Sequence, residues 1–265
     1  MTIILRLTLR GLLVAAHLLL GVVLSLFIDL IAAIGPSRER IVRWWHRQLC
    51  RCMRIEVRVH GLPPEPPMML VSNHVSWMDI PVLGALVPTR FVSKSEVAAW
   101  PLIGRLARAG GTEFHRRGGG SQGTRKLIAR LTGHLENGQS VTVFPEGTTT
   151  LGATTRRFQP RLFAAAVESR RPVMPVLLRY GPDPETATLA PYVGDDVFLP
   201  HLLRMLQCPR IVVDVWFLDP LPTEGMDRTA VAKDAQRAID QRLATAPPRL
   251  LPNREPALPR HRLST

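Results

Sequence analysis

The sequence has too few residues of several types for some common kinds of functional site. Its three cysteines, Cys50, Cys52 and Cys208, form no disulfide framework, and the spacing of the first two does not match a zinc knuckle. We therefore expect free thiols in a reducing compartment. The sequence has no Gly-Lys-Ser/Thr phosphate loop and no His-Glu-x-x-His motif, which argues against nucleotide hydrolysis and zinc proteolysis. We expect no bound metal ion.

Aromatic residues are also scarce, although the chain is strongly basic. There are only two tyrosines and eight phenylalanines to stack on bases, and the net charge of +13 comes almost entirely from arginine. Such a surface attracts polyanions, including nucleic acid, anionic lipids and phosphorylated substrates. The sequence shows no basic helix with base-reading side chains, no zinc finger and no aromatic ribonucleoprotein motif. Apolar residues beside arginine clusters therefore predict a membrane lipid surface, and no nucleic acid, as a partner.

An apolar run over residues 12–34 precedes the main body of the chain and is interrupted only by His17, Ser25 and Asp29. About 20 apolar residues can span a bilayer, so we predict a membrane anchor over residues 1–37. More arginines follow the run than precede it, which places the main domain on the cytoplasmic side of the inner membrane. Positive charge on both flanks and Asp29 within the run leave open a shallow segment that never crosses.

Residues 38–54 read as an amphipathic helix. Arginines lie on one face, and Ile41, Trp44, Trp45 and Leu49 lie towards another. Arginine and tryptophan on one helix favour a position in the membrane interface. An ordinary docking helix explains the same pattern equally well, so both interpretations stay open.

After this helix, short apolar runs alternate with helical patterns. We predict strands at 55–60, 67–72, 91–93, 140–144, 173–178 and 211–218, with helices at 77–86, 100–109, 126–136, 162–168 and 230–244. This alternation predicts a single α/β domain over residues 55–246, with a largely parallel sheet flanked by helices. We expect residues 181–209 to be irregular and 247–265 to be a disordered tail.

The first candidate for chemistry is His74, which follows a predicted buried strand. Open α/β sheets bind ligands at the carboxyl ends of their strands. Asp79 follows five residues later, and its carboxylate could hold one imidazole nitrogen while the other accepts a proton. A structural alternative is that Ser76 and Asp79 form a capping box at a helix start.

Two further segments contain polar residues in loops. Residues 144–150 carry a Pro-Glu-Gly turn and three threonines after a second buried strand, so Glu146 could line the same crevice as His74 or be a plain turn residue. Residues 110–117 end in Arg116 and Arg117, which could clamp a phosphate or form a solvated basic loop.

Together these segments resemble the glycerolipid acyltransferase family of lysophosphatidate and glycerol-phosphate acyltransferases. The family motif Asn-His-x4-Asp is matched at 73–79, Gly-x-x-Phe-x-x-Arg at 111–117, and Phe-Pro-Glu-Gly-Thr at 144–148. An apolar strand with a central proline is matched at 173–176. The resemblance covers about residues 40–220, and four motifs in the family's order are far more specific than any one of them.

The resemblance implies a reaction in which His74, oriented by Asp79, deprotonates a lipid hydroxyl as that hydroxyl attacks an acyl thioester. The donor would be acyl-CoA or acyl carrier protein, as a co-substrate, with no other cofactor. The substrate-binding residues implied by the motifs are Asn73, Arg117, Glu146, Gly147, Thr148, Thr149 and Pro175. The expected product is phosphatidate, from 1-acylglycerol-3-phosphate.

One position departs from the family pattern. Thr149 stands where the family usually has an arginine associated with the acceptor phosphate. Arg156 or Arg157 could supply that charge. Alternatively the acceptor has no phosphomonoester, as in lyso-ornithine lipid, whose acyltransferases belong to the same family.

Two other classes of function compete with this interpretation. Residues 119–123 formally match the Gly-x-Ser-x-Gly nucleophile elbow of hydrolases around Ser121. That motif requires a sharp turn directly after a buried strand, so we expect a chance match. A non-catalytic membrane-surface protein would show the same anchor and basic helix, and would not depend on His74.

Overall fold

A computed structural model of the chain describes residues 3–35, 37–116, 120–181 and 183–246. The predicted tail at 247–265 and Arg117 lie outside the described residues. The strands are β1 (Ile55–His60), β2 (Met69–Ser72), β3 (Arg90–Lys94), β4 (Glu113–His115), β5 (Val141–Val143), β6 (Val173–Tyr180) and β7 (Ile211–Phe217).

The helices begin with two long ones at the amino-terminal end and continue between the strands. They are α1 (Ile3–Ile34), α2 (Arg38–Cys52), α3 (Asp79–Leu86), α4 (Ser95–Ala98), α5 (Ile103–Ala109), α6 (Gly120–Glu136), α7 (Ala164–Glu168), α8 (Pro184–Leu189), α9 (Phe198–Gln207) and α10 (Arg228–Thr245). A 3-10 turn, Pro160–Phe163, leads into α7.

The strands form one seven-stranded sheet in the order β1-β7-β6-β2-β5-β3-β4. Every neighbouring pair is parallel except β6 and β7, so the predicted α/β domain with a largely parallel sheet is confirmed. The interior strand β6 is buried along its whole length, as expected for a sheet covered by helices on both faces. The strand β2 lies between β6 and β5, and this order brings the ends of β2 and β5 to the same edge.

Helices cover both faces of the sheet and create two apolar cores. One core joins α2, α3 and α9 to the sheet through Leu49, Leu83, Leu178 and Met205. The other joins α6, α7 and α10 to it through residues such as Leu131. Burial of this apolar surface is the main stabilising contribution to the fold.

The expectation of irregular structure over 181–209 is wrong, because this segment contains α8 and α9. Asp183 caps α8 by accepting a hydrogen bond from the amide of Thr186 at 2.7 Å, and Pro184 occupies the first helical position. Helix α9 buries His201 and Met205 on its inner face. Pro184, one of the prolines that suggested irregular structure, therefore marks the start of a helix.

Helix α2 packs between its neighbours in the chain. It contacts α3 along one side and α1 along another, and it buries Ile41, Leu49 and Cys50. Trp45 stacks on His17 of α1, with ring centroids 4.9 Å apart, whereas Trp44 is exposed. The inner face of α2 therefore docks on the protein, as one of the two interpretations predicted.

Candidate active site

His74 lies just beyond the end of β2 and is held by the loop that follows β5. Its backbone N–H donates to Glu146 Oε1 at 2.9 Å, and its carbonyl accepts from the amide of Thr150 at 2.8 Å. The imidazole stacks on Phe144, with ring centroids 4.0 Å apart. The backbone and the ring face of His74 are thus fixed by residues of one loop, as expected where two parallel strands end side by side.

The imidazole edge of His74 is held by Asp79, the first residue of α3. Asp79 Oδ2 lies 2.7 Å from His74 Nδ1. The same oxygen accepts from the amides of Val75 at 2.8 Å and Ser76 at 3.1 Å. Asp79 therefore supplies one half of the predicted capping box and also orients His74, whereas the Ser76 hydroxyl has no hydrogen-bond partner among the described residues. An ionised carboxylate requires the hydrogen on Nδ1, which leaves Nε2 as a proton acceptor.

Glu146 connects the two loops of the site through its carboxylate. Oε1 accepts from His74, and Oε2 accepts from the amide of Arg156 at 2.9 Å. The side chain is buried, and burial raises the pKa of Glu146 above its usual value, although these hydrogen bonds oppose the change. Glu146 also lines the cavity described next, so it holds the loops at the place where a substrate would lie.

His74 opens onto a cavity of about 1570 Å³. Much of the lining is apolar and comes from α1, α2, β3, α5 and α9: Val14, Leu18, Ile28, Trp45, Phe91, Ile103, Leu106 and Phe198. The remaining lining includes polar and cationic side chains: Lys94, His115, Thr124, Thr148, Thr149, Arg156 and Arg161. A large apolar cavity with a few polar groups beside an oriented histidine suits a lipid substrate and proton transfer.

The chain is similar to known proteins over most of its length. Residues 54–179 match the acyltransferase family. The chain is 44% identical over 240 residues to lyso-ornithine lipid O-acyltransferase of Pseudomonas aeruginosa, which covers 89% of this chain and 92% of that protein. The chain belongs to the acyltransferase family. The predicted resemblance and the assignment as an enzyme of this class are confirmed.

This acyltransferase is also similar to a second named protein and to one solved structure. It is 30% identical over 207 residues to 1-acyl-sn-glycerol-3-phosphate acyltransferase of Neisseria meningitidis, with 77% of this chain and 80% of that protein aligned. The crystal structure of a 1-acyl-sn-glycerophosphate acyltransferase from Thermotoga maritima aligns with a TM-score of 0.65 at 19% identity. That alignment covers 90% of this chain and 96% of the other, and at this identity it shows a shared fold.

Thr149 of the acyltransferase is engaged by the segment between α8 and α9. Its hydroxyl donates to the carbonyl of Tyr192, and the amide of Tyr192 donates to the carbonyl of Val75 at 2.9 Å. The preceding Gly147 has a φ of +72°, a backbone conformation that favours glycine. Gly147, Thr148 and Thr149 all line the cavity, so the structure places these three predicted residues together with His74.

Two of the predicted substrate-binding residues lie away from the cavity lining. Asn73 is buried, and its side-chain amide donates to the carbonyl of Leu178 at 2.9 Å and accepts from the amide of Leu178 at 2.8 Å. Pro175 lies within buried β6, opposite Val71 of β2. Asn73 joins the end of β2 to β6, and Pro175 lies near the start of β6.

Several residues at the site have no local signal in the sequence. Tyr180, at the end of β6, donates its hydroxyl to Asp79 Oδ1 at 2.7 Å. Trp77 lines the cavity and donates to His201 of α9 at 3.0 Å. These contacts join residues more than 100 positions apart, and no local motif reports such pairs.

Ser121, the serine of the possible nucleophile elbow, is not placed as a hydrolase nucleophile would be. Ser121 lies in the first turn of α6, which follows the edge strand β4, so the described structure lacks the buried strand that a nucleophile elbow requires. Within the described ranges, no group of three or more His, Cys, Asp or Glu side chains is arranged to hold a metal ion.

Proposed function

We propose that this acyltransferase moves a fatty acyl group from acyl-CoA or acyl carrier protein to the free hydroxyl of lyso-ornithine lipid. The observation that carries the chemistry is the His74–Asp79 pair at 2.7 Å, facing an apolar cavity. The histidine provides a general base, and the cavity provides room for an acyl chain. The reaction requires no other cofactor.

In the proposed mechanism, His74 Nε2 accepts the proton of the acceptor hydroxyl as its oxygen attacks the thioester carbonyl. The tetrahedral intermediate then collapses, the carbon–sulfur bond breaks, and the thiolate takes the proton from the imidazolium. Asp79 fixes the tautomer and stabilises the positive charge that His74 carries between the two steps. General-base assistance of this kind accelerates reactions by about 10²–10⁴.

Two observations favour lyso-ornithine lipid as the acceptor. Thr149 occupies the usual arginine position, and its hydroxyl is used by Tyr192, so the loop has no guanidinium there for a phosphomonoester. In addition, lyso-ornithine lipid is the acceptor named for the 44% identical relative. Lysophosphatidate is the second candidate, because Arg156 and Arg161 line the cavity and a 30% identical relative is named for it.

We also propose that α1 lies along the cytoplasmic face of the inner membrane without crossing it. Helix α1 is apolar enough to enter a membrane, and together with the lipid acyltransferase relatives it indicates membrane association. Both of its ends are attached to the domain. Arg6 donates to the carbonyl of Gln207 at 2.7 Å, and Asp29 pairs with Arg38 at 2.6 Å. Such attachment favours an in-plane helix whose exposed leucines contact lipid.

The acceptor is tested by offering lyso-ornithine lipid and lysophosphatidate side by side to purified enzyme in detergent, each with labelled acyl-CoA and acyl-acyl carrier protein. We expect product from lyso-ornithine lipid. Thr149→Arg should shift the ratio of products towards phosphatidate, because a guanidinium pairs with an anionic phosphomonoester more strongly than with the zwitterionic ornithine head. Thr149→Val removes the hydroxyl without adding charge and is the matched control. Product from lysophosphatidate alone would contradict the proposed acceptor.

A further inference from the structure

The carboxylate of Asp79 has a partner four residues beyond the fourth acyltransferase motif, at the end of β6. Asp79 is fully buried, and its Oδ2 is shared by His74 Nδ1 and the amides of Val75 and Ser76. Its other oxygen, Oδ1, accepts from the Tyr180 hydroxyl at 2.7 Å. Four donors thus occupy the carboxylate, about as many as its lone pairs can accept.

The buried environment of Tyr180 makes its hydroxyl a donor to Asp79. It is fully buried at the carboxyl end of β6, in the core that also contains Val176, Leu178 and Met78. Burial, together with the nearby charge of Asp79, raises the pKa of Tyr180 well above its usual value. The phenol therefore keeps its proton at physiological pH, and a buried phenol hydroxyl requires a partner.

The end of β6 also fixes the backbone next to His74. Leu178, two residues before Tyr180, exchanges two hydrogen bonds with the Asn73 side chain, at 2.9 and 2.8 Å. One strand end therefore sets both the place where the loop leaves β2 and the orientation of the carboxylate that the loop's histidine contacts. Rotation of the Asp79 carboxylate would break the bond from Tyr180 and move Oδ2 away from Nδ1.

We propose that Tyr180 is a positioning residue for the acyl transfer, which acts through Asp79 to orient His74. The inference rests on the proposed function of His74 as general base. Tyr180 does not line the cavity, so its removal should not change contacts with either substrate. Its effect should fall on the chemical step.

The test is Tyr180→Phe, which removes only the hydroxyl. We expect kcat to fall about 10- to 100-fold, the range that corresponds to loss of a hydrogen bond to a charged group, with KM for both substrates nearly unchanged. In an Asp79→Asn background the same change should reduce kcat little further, because residues that act as a unit are not additive.

Leu177→Ala is the matched control, since Leu177 is buried on the same strand but packs in the other apolar core and lies outside the family motifs. It should lower the unfolding temperature but leave kcat close to that of the wild type. If Tyr180→Phe is too unstable to purify, both variants are made in a Gly133→Ala background. An added methyl at Gly133, inside α6, meets no atom within 4 Å, and alanine favours the helix.

The outcomes separate this inference from the proposed function. A wild-type kcat in Tyr180→Phe, with His74→Ala inactive, would overturn the positioning role and leave the mechanism standing. An equal further loss of kcat in the Asp79→Asn background would also overturn it, because Tyr180 would then act independently of Asp79. Full activity in His74→Ala would instead refute the proposed mechanism.

Discussion

The residues around His74 are held more by backbone groups than by other side chains. Glu146, Asn73 and Asp79 each direct a buried polar side chain at main-chain amides or carbonyls of the neighbouring loops. Buried polar groups are costly when unpaired, so these contacts fix one loop arrangement against others. A histidine held in this way needs little reorganisation before it accepts a proton.

Asn73 provides a test at the scale of one residue, because the motif implied substrate binding whereas the structure shows a link between strands. Asn73→Ala leaves the amide and carbonyl of Leu178 without these partners, which should cost about 1–3 kcal/mol of stability. We expect a lower unfolding temperature and a lower kcat, with little change in KM for the acceptor. An increase in KM with unchanged kcat and unfolding temperature would show a direct contact with substrate.

The sequence predicted the contact between His74 and Asp79 but not the residues that support it. His74 and Asp79 are five positions apart and follow a strand, so a local pattern was enough. Tyr180 is 101 positions from Asp79, and its role depends on β6 lying beside β2. The order of strands in the sheet decides this contact, and no single segment of the sequence records that order.

At the scale of elements, the strands and most helices follow directly from local patterns. Strand β1 matches its predicted residues, and α10 exceeds its predicted range by a few residues. The short edge strand β4 and helix α9 were not predicted. Strand β4 has three partly buried residues, too few for a recognisable alternation, and prolines around α9 obscured its amphipathic pattern. Both elements line or border the cavity, so the site was less predictable than the core.

A prediction at this scale concerns whether α1 crosses the membrane. If it lies in one leaflet, both of its ends face the cytoplasm, since Arg6 and Arg38 attach them to the same domain. We would place single cysteines at the exposed residues Ile4 and Ile34, in a Cys52→Ser background because Cys50 and Cys208 are buried. An impermeant thiol reagent should label neither position in intact cells and both in inverted vesicles.

A matched control for this labelling is Asn137→Cys, at an exposed turn of the domain beyond α6. It should behave as the two α1 positions do. Labelling of Ile4→Cys from outside intact cells, with Asn137→Cys protected, would show that α1 crosses the membrane.

At the scale of the whole molecule, the sheet positions His74, and the apolar helices line the cavity beside it. The parallel strands bring His74 and the loop after β5 to one edge, and α1 and α2 add an apolar wall to the cavity that begins there. In the proposed reaction, an acyl chain would follow this apolar wall to His74. Relatives of this chain are named for two different lipid acceptors.

The central claim is that His74 is the general base of acyl transfer. The most direct measurement is the rate of product formation from labelled acyl donor by purified His74→Ala, beside the wild type, with thermal unfolding to confirm that both are folded. We predict a loss of about 10²–10⁴ in kcat with a similar unfolding temperature. A folded His74→Ala enzyme that transfers acyl groups at the wild-type rate would contradict the account.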